Sequence, residues 1–278
     1  MVVNGLKIIS NQLSAQARNF LGLGRKRSVA MIHLGRCGST VLGNMLAENP
    51  SIFWAGEIYE ELFQEFKKAG YEPHAFQSLI TNPVRTVIES RARLRARMAT
   101  IYGFEIKPFH SELIDVPLDS LIQGLEREGF DHFIVLDRRN RLKKICSALL
   151  ALKTGRFSYG LDEKIEMNTV YLEVESIEIE YSCKPLIELL KGYDQAFSDL
   201  STYLENRNTL ELFYEDDIEN DPIHGYKKVC DFLGVEASTK VKVRNKKITN
   251  RPLSSVIRNF EEVQNYLKDT GYEWMLEV

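Results

Sequence analysis

The chain has 278 residues, enough for one large or two modest hydrophobic cores. Its 44 % apolar and 27 % charged content is that of an ordinary globular protein. The net charge of -3 gives no overall attraction to nucleic acid or an anionic membrane, and no run of about 18 apolar residues could span a bilayer.

Residues 1–27 place Leu6, Ile9, Leu13 and Phe20 at helical spacing, the stripe of a short leading helix that either packs on the body or attaches to a membrane surface. The segment has no uninterrupted apolar core of signal-peptide type. From residue 28 the pattern changes. "VAMIHL" (29–34) is a short buried strand, followed by a small-residue turn and a helical pattern over 40–48. Further helices are predicted at 58–69, 77–100, 141–153, 185–206, 221–233 and 254–269, with strands at 104–108, 132–137 ("HFIVLD") and 210–216. Strands alternating with helices predict an α/β fold with a central parallel sheet flanked by helices. No linker rich in Pro, Gly or Ser divides the chain, so residues 1–278 read as a single domain. The arginines of "RTVIESRARLRAR" (85–97) form no single stripe on a helix. They read as a solvated face or as a lid over an anionic ligand.

Four cysteines, Cys37, Cys146, Cys183 and Cys230, are scattered without a CxxC pair. That pattern predicts reduced thiols in a cytoplasmic protein rather than a disulfide framework or a zinc site.

The turn after the first strand carries Gly35, Arg36, Cys37, Gly38, Ser39 and Thr40. A strand that ends in such a turn and opens a helix aims several backbone N–H groups at one point, and the helix terminus adds partial positive charge. The glycines permit close approach, the hydroxyls donate, and Arg36 supplies a fixed charge. The bland reading is a plain βα turn with Arg36 in solvent. A phosphate loop of the GxxxxGK[ST] kind is excluded, because no Lys follows Gly38. Asp137, at the end of "FIVLD", imitates the acidic strand end of magnesium-dependent nucleotide enzymes. It keeps open a nucleotide or metabolite kinase with a degenerate loop.

"GRCGSTVLGNML" resembles the 5′-phosphosulfate loop of sulfotransferases that use 3′-phosphoadenosine 5′-phosphosulfate (PAPS), with Cys37 at the usual Ser. A second family signature is an Arg at a strand end with a Ser eight residues on, and Arg139 and Ser147 in "VLDRRNRLKKICSALLALKTG" have that separation. "LELFYEDDIENDPIHGYKKVCDFLGV" is similar to the family's stretch behind the nucleotide. "KKITNRPLSSVIRNFEEVQNYLKDTGYEWML" is similar to its C-terminal segment, making Lys246, Lys247 and Arg251 candidates for the 3′-phosphate. The resemblance, nearest to bacterial carbohydrate- or trehalose-type and tyrosylprotein sulfotransferases, covers residues 29 to 275. It implies a P-loop-like fold, with Arg36, Cys37, Gly38, Ser39, Thr40 and Val41 around the 5′-phosphosulfate. Arg139 and Ser147 would grip the 3′-phosphate, and no metal is expected. The implied reaction moves a sulfuryl group from PAPS to a hydroxyl or amine of a small-molecule acceptor, leaving 3′-phosphoadenosine 5′-phosphate. A non-catalytic protein with a vestigial nucleotide site is the third reading.

Such a transfer needs a base for the acceptor's proton. Glu57, in "FWAGEIYEEL", resembles the catalytic Glu that follows the loop's helix in the tyrosylprotein and trehalose-type enzymes. Burial beside Phe53 and Trp54 is expected to raise its pKa. His110 is the rival, from a Lys-x-x-His where the cytosolic enzymes carry Lys-x-His, with Lys107 as the matching sulfuryl contact. The acidic, tyrosine-bearing stretch 157–183 is either an aromatic mouth for a cationic acceptor or a row of exposed glutamates.

Overall fold

The computed structural model describes residues 27–68, 70, 100–164, 166–247 and 251–277. The leading helix and the arginine-bearing helix expected over 77–100 lie outside the described residues, apart from Thr100. Five parallel strands form the central sheet: β1 (Arg27–His33), β2 (Ile52–Trp54), β3 (Ile101–Ile106), β4 (His132–Asp137) and β5 (Thr209–Phe213), in the order β2-β3-β1-β4-β5. This is the expected α/β architecture. β1 sits between β3 and β4, pairing Ile32 with Ile106 on one side and with Val135 on the other.

The alternation along β1 explains the layers. Ala30 and Ile32 face one side of the sheet. There they join Phe104, Phe133, Tyr59 and Phe63 under α2 (Ile58–Lys68), α3 (Pro108–Leu113) and α4 (Leu118–Arg127). Val29 and Met31 face the other side, against Leu42 and Met45 of α1 (Ser39–Ala47) and Val229 and Leu233 of α7 (Pro222–Leu233). A third apolar cluster joins α5 (Arg141–Thr154) and α6 (Leu186–Leu204) to the C-terminal α8 (Leu253–Val256) and α9 (Phe260–Leu267). Burying β1 on both faces demands the near-continuous apolar run that its sequence shows.

Helix boundaries follow local chemistry. Asn140 caps α5 by accepting from the Lys143 N–H, and Gly155 (φ 67°) ends it in the left-handed region. Asp221 caps α7 with Pro222 as its first residue, and Gly234 closes it.

Two expected elements are corrected. The strand foreseen over 210–216 stops at Phe213, and Tyr214–Ile218 form one π-helical turn. Buried Asp217 turns the chain there by accepting the Phe213 N–H and pairing with Lys228 at 2.6 Å. The helix foreseen over 254–269 is broken, because Ile257 bridges to Val170 and the Asn259 side chain bonds both the N–H and the carbonyl of Leu172. The stretch 157–183 ends in a short antiparallel pair, Ile177–Ile179 and Ser182–Lys184, which the sequence reading did not foresee.

Candidate functional site

In an open α/β sheet, ligands bind beyond the carboxyl ends of the strands where successive connections leave in opposite directions. Here that point is β1, whose two neighbours are β3 and β4. The loop 35–40 leaves β1 there. Gly35 (φ 75°), Arg36 (φ 55°) and Gly38 (φ 83°) all lie in the left-handed region. At Gly38 a Cβ would collide with Ile218, so the helix can start this close to the π-turn only with glycine.

A cleft opens over the loop. Its lining includes Arg36, Gly38, Ser39, Thr40 and Val41, then Arg138 and Ser147 from β4–α5, and Tyr214, Lys246 and Lys247. Four cationic side chains against one acid, Glu219, suit it to an anion. Arg36 Nε lies 3.1 Å from Ser147 Oγ, and its Nη1 donates to the Phe157 carbonyl at 2.7 Å. Burial and the adjacent Arg138 guanidinium both pull the Arg36 pKa down. Two neighbouring guanidiniums in a half-buried cleft favour an anion between them.

The second turn departs from the sequence reading. Arg139 does not line the cleft. It makes a bidentate pair with Asp216 at 2.9 and 2.6 Å and lies over the Phe213 ring. Arg138 takes the inward position, donating to the Arg36 carbonyl at 2.8 Å and stacking on Tyr214. The physical reason is local: Asp216, carried on the π-turn, offers Arg139 a two-pronged partner outside the cleft. Lys246 and Lys247 reach the cleft rim. Lys247 stands 3.5 Å from Glu219, and Lys246 bonds the carbonyls of Leu161 and Glu163. Arg251 is directed elsewhere, to the carbonyls of Asn168 and Ser255. Cys37 is in the loop but wholly buried beneath it. Asp137 is taken by Arg141 in a bidentate pair and does not line the cleft.

A second pocket shares Thr40 with the first and runs between α1 and the ends of β2 and β3, past Gly43, Asn44, Trp54, Glu57 and Glu105. Glu57 is half-buried, with Oε2 2.6 Å from Lys107 Nζ and Oε1 4.0 Å from His33 Nε2. The expected rise in its pKa is overturned. Burial does push it up, but the Lys107 ammonium outweighs burial and holds it below the usual carboxylate value. Lys107 also passes close to the loop, since a Cβ on Gly35 would meet its Cε at 3.5 Å.

His110 is corrected as a candidate base. It is fully buried, packed against Tyr59, Phe63 and Phe109, and its Nδ1 accepts the Lys107 backbone N–H at 3.2 Å. Its pKa falls to about 4, through burial first, with the Lys107 charge adding to it against the pull of Glu60. It caps α3 and steadies the backbone of Lys107 from behind.

Two site residues escaped the sequence reading. Glu105 on β3 is buried on the α1 side of the sheet, where Oε1 accepts from Trp54 Nε1 at 2.7 Å and Oε2 lies 3.1 Å from His33 Nε2. His33 is wholly buried, and its Nδ1 accepts the Gly35 N–H at 2.9 Å. The available signal was polarity: His33 and Glu105 interrupt otherwise apolar strand ends, and buried charge needs partners. The donor atoms of His33, Glu57 and Glu105 lie within 4.8 Å of one another, as metal ligands would. The existing partners fit a metal poorly. Lys107 already neutralises Glu57, and an Nδ1 that accepts an N–H leaves the ring proton on Nε2, where a metal would need a lone pair.

Exposed Glu173, Glu175 and Glu178 of the acidic stretch do not line either pocket, and Glu175 accepts from Tyr266 on α9. Among the described residues no helix is long and apolar enough to cross a membrane. No protein-family model and no curated protein matches this chain.

Proposed function

We propose that this chain is a PAPS-dependent sulfotransferase. The reading is supported above all by the meeting of the loop after β1 with the helix α5, 111 residues apart at Arg36 and Ser147, on one cationic cleft that adjoins a pocket holding an ionised acid. In this reading the N–H groups and hydroxyls of residues 38–40 hold the 5′-phosphosulfate, and Arg36 stabilises charge that develops on the transferring group and the leaving phosphate. Arg138, Ser147 and Lys247 take the 3′-phosphate, with Arg138 in the role that the motif spacing assigned to Arg139.

The acceptor, a small molecule bearing a hydroxyl or amine, enters the Trp54 pocket. Its oxygen or nitrogen forms a bond to sulfur in line with the breaking sulfur–oxygen bond, whose electron pair leaves on 3′-phosphoadenosine 5′-phosphate. Glu57 takes the acceptor's proton. Lys107 keeps this carboxylate ionised before the reaction, and its ammonium lies near enough to the loop to follow the proton transfer with a compensating charge.

The kinase reading loses its one support, because the Arg141 pair neutralises Asp137 away from the cleft. The test is calorimetric titration with 3′,5′-adenosine bisphosphate, followed by radiolabelled sulfuryl transfer from PAPS to an acceptor panel in EDTA. Binding and transfer without divalent metal are expected. Failure to bind the bisphosphate, or a requirement for ATP and magnesium, overturns the proposal.

A further inference from the structure

We propose that His33 is a positioning residue that ties the phosphate loop to the catalytic acid. The inference rests on the sulfotransferase reading and concerns a side chain that touches neither substrate.

The ring is the centre of a buried chain of contacts. On one side Nδ1 accepts the Gly35 N–H at 2.9 Å, fixing the first residue of the loop. On the other, Nε2 lies 3.1 Å from Glu105 Oε2 and 4.0 Å from Glu57 Oε1, close approaches that are not aligned as hydrogen bonds, and it makes no hydrogen bond among the described residues. Glu105 is fixed in turn by the Trp54 indole N–H at 2.7 Å. α1 presses on that pair so closely that a Cβ at Gly43 would collide with both Glu105 Oε1 and Trp54 Nε1.

Because Nδ1 is an acceptor, the neutral ring carries its proton on Nε2, between two carboxylates. That proton separates Glu105 from Glu57, which otherwise face each other as like charges. Burial opposes a second ring proton, but the Cys37 sulfur and Glu105 outweigh it and raise the ring's pKa to about 10. What keeps the ring singly protonated is geometric, because the Gly35 N–H already occupies the Nδ1 lone pair. A second proton would sit on Nδ1 and break the Gly35 bond, so the loop geometry and the single-proton ring require each other.

The two ring nitrogens can be replaced one at a time. In His33→Asn the amide oxygen stands near the place of Nδ1 and keeps an acceptor for Gly35, but nothing reaches Glu105. In His33→Gln the amide nitrogen stands near the place of Nε2 and keeps a donor to Glu105, but the Gly35 N–H loses its acceptor. The Gly35 end is a single hydrogen bond and the Glu105 end a single close polar contact, so a split of about tenfold is the expected scale. His33→Gln should raise the Kd for 3′,5′-adenosine bisphosphate and the KM for PAPS by about tenfold, with kcat within about threefold of wild type. His33→Asn should lower kcat about tenfold and leave that Kd within about threefold.

Nitrogen-15 spectra of the wild-type imidazole, read without any turnover, should show a neutral ring protonated on Nε2 alone. Equal losses in both variants, or a ring protonated on Nδ1, overturn the proposal. If wild type neither binds the bisphosphate nor transfers sulfuryl groups, the sulfotransferase reading fails instead, and the imidazole spectra still decide whether His33 holds Gly35.

Discussion

The turns after β1 and β4 meet in the same cleft, yet they were unequally readable. In the first, the placement of Gly38, Ser39, Thr40 and Val41 follows from backbone constraints, and only the long Arg36 side chain is steered by distant partners, Ser147 and the Phe157 carbonyl. Gly35 and Gly38 supply the left-handed conformations, α1 begins at Ser39, and Ser39, Thr40 and Val41 fall into the cleft by helical geometry. In the second, two adjacent arginines compete for one inward position, and the winner is decided by a partner 77 residues away, Asp216. Backbone geometry is written locally. The choice between neighbouring long side chains depends on tertiary contacts, and motif spacing cannot carry it.

The largest effect that would test the chemical half of this contrast is at Glu57. Glu57→Gln keeps the shape of the side chain and removes the base, so kcat should fall by roughly 10²–10⁴-fold, with bisphosphate affinity retained. Turnover at the wild-type rate would show that the acid is structural. The replacement also leaves Lys107 without its closest anion, so the Kd measurement is needed to separate lost chemistry from a displaced loop.

Next in size is Arg36→Ala, which removes the guanidinium shared by the loop and Ser147. The loss expected for one charge-stabilising donor is about 10²–10³-fold in kcat. Steady-state transfer from labelled PAPS reads it directly. A change confined to KM would mean that Arg36 binds the ground state and does not act on the transition state.

The comparison of the two turns is sharpest in the arginine pair. Arg138→Ala should weaken binding of 3′,5′-adenosine bisphosphate by about 10–100-fold, the scale of hydrogen bonds to a charged group. Affinity for adenosine 5′-monophosphate, which lacks the 3′-phosphate, should change little. Arg139→Ala should leave the discrimination between these nucleotides intact, since Asp216 holds the Arg139 guanidinium outside the cleft in an exposed pair. If Arg139→Ala alone removed the discrimination, Arg139 would have to leave Asp216 when nucleotide arrives.

Legibility elsewhere follows the same division. Apolar runs such as "VAMIHL" and "HFIVLD" gave the central strands because burial on both faces leaves no room for polar residues. α4 was missed although Leu118, Leu121, Ile122 and Leu125 stand at helical spacing, so there the signal was present in the sequence. The break at Ile257–Asn259 had no local signal, because the bonds that hold it come from Leu172 and Val170. His33 and Glu105 are polar residues at buried strand ends, a pattern that flags a site without saying which partners complete it. Glu57 was found by position, but its depressed pKa depends on Lys107, fifty residues on and brought near by β3.

His110 gives the smallest predicted effect on catalysis and a clear one on stability. Its ring is neutral in the fold with a pKa of about 4, against 6.5 unperturbed. Between those values the unfolded chain binds a proton that the folded chain refuses, so stability falls as pH drops from about 6.5 and levels off near 4. Asn at this position can keep an acceptor for the Lys107 N–H while having nothing to titrate. His110→Asn should therefore flatten the pH dependence of the urea midpoint between about 6.5 and 5, above the range where the unfolded chain begins to protonate Glu60, whose ordinary value of 4.5 is lowered to about 2 in the fold. Its kcat at neutral pH should stay within about threefold of wild type, since substitutions away from the reacting groups act mainly through stability. A steep loss of kcat with an unchanged urea profile would put the imidazole back among the candidates for proton transfer. It would then have to act from full burial against Tyr59 and Phe63, with Glu60, 3.5 Å from its Nε2, between it and the surface.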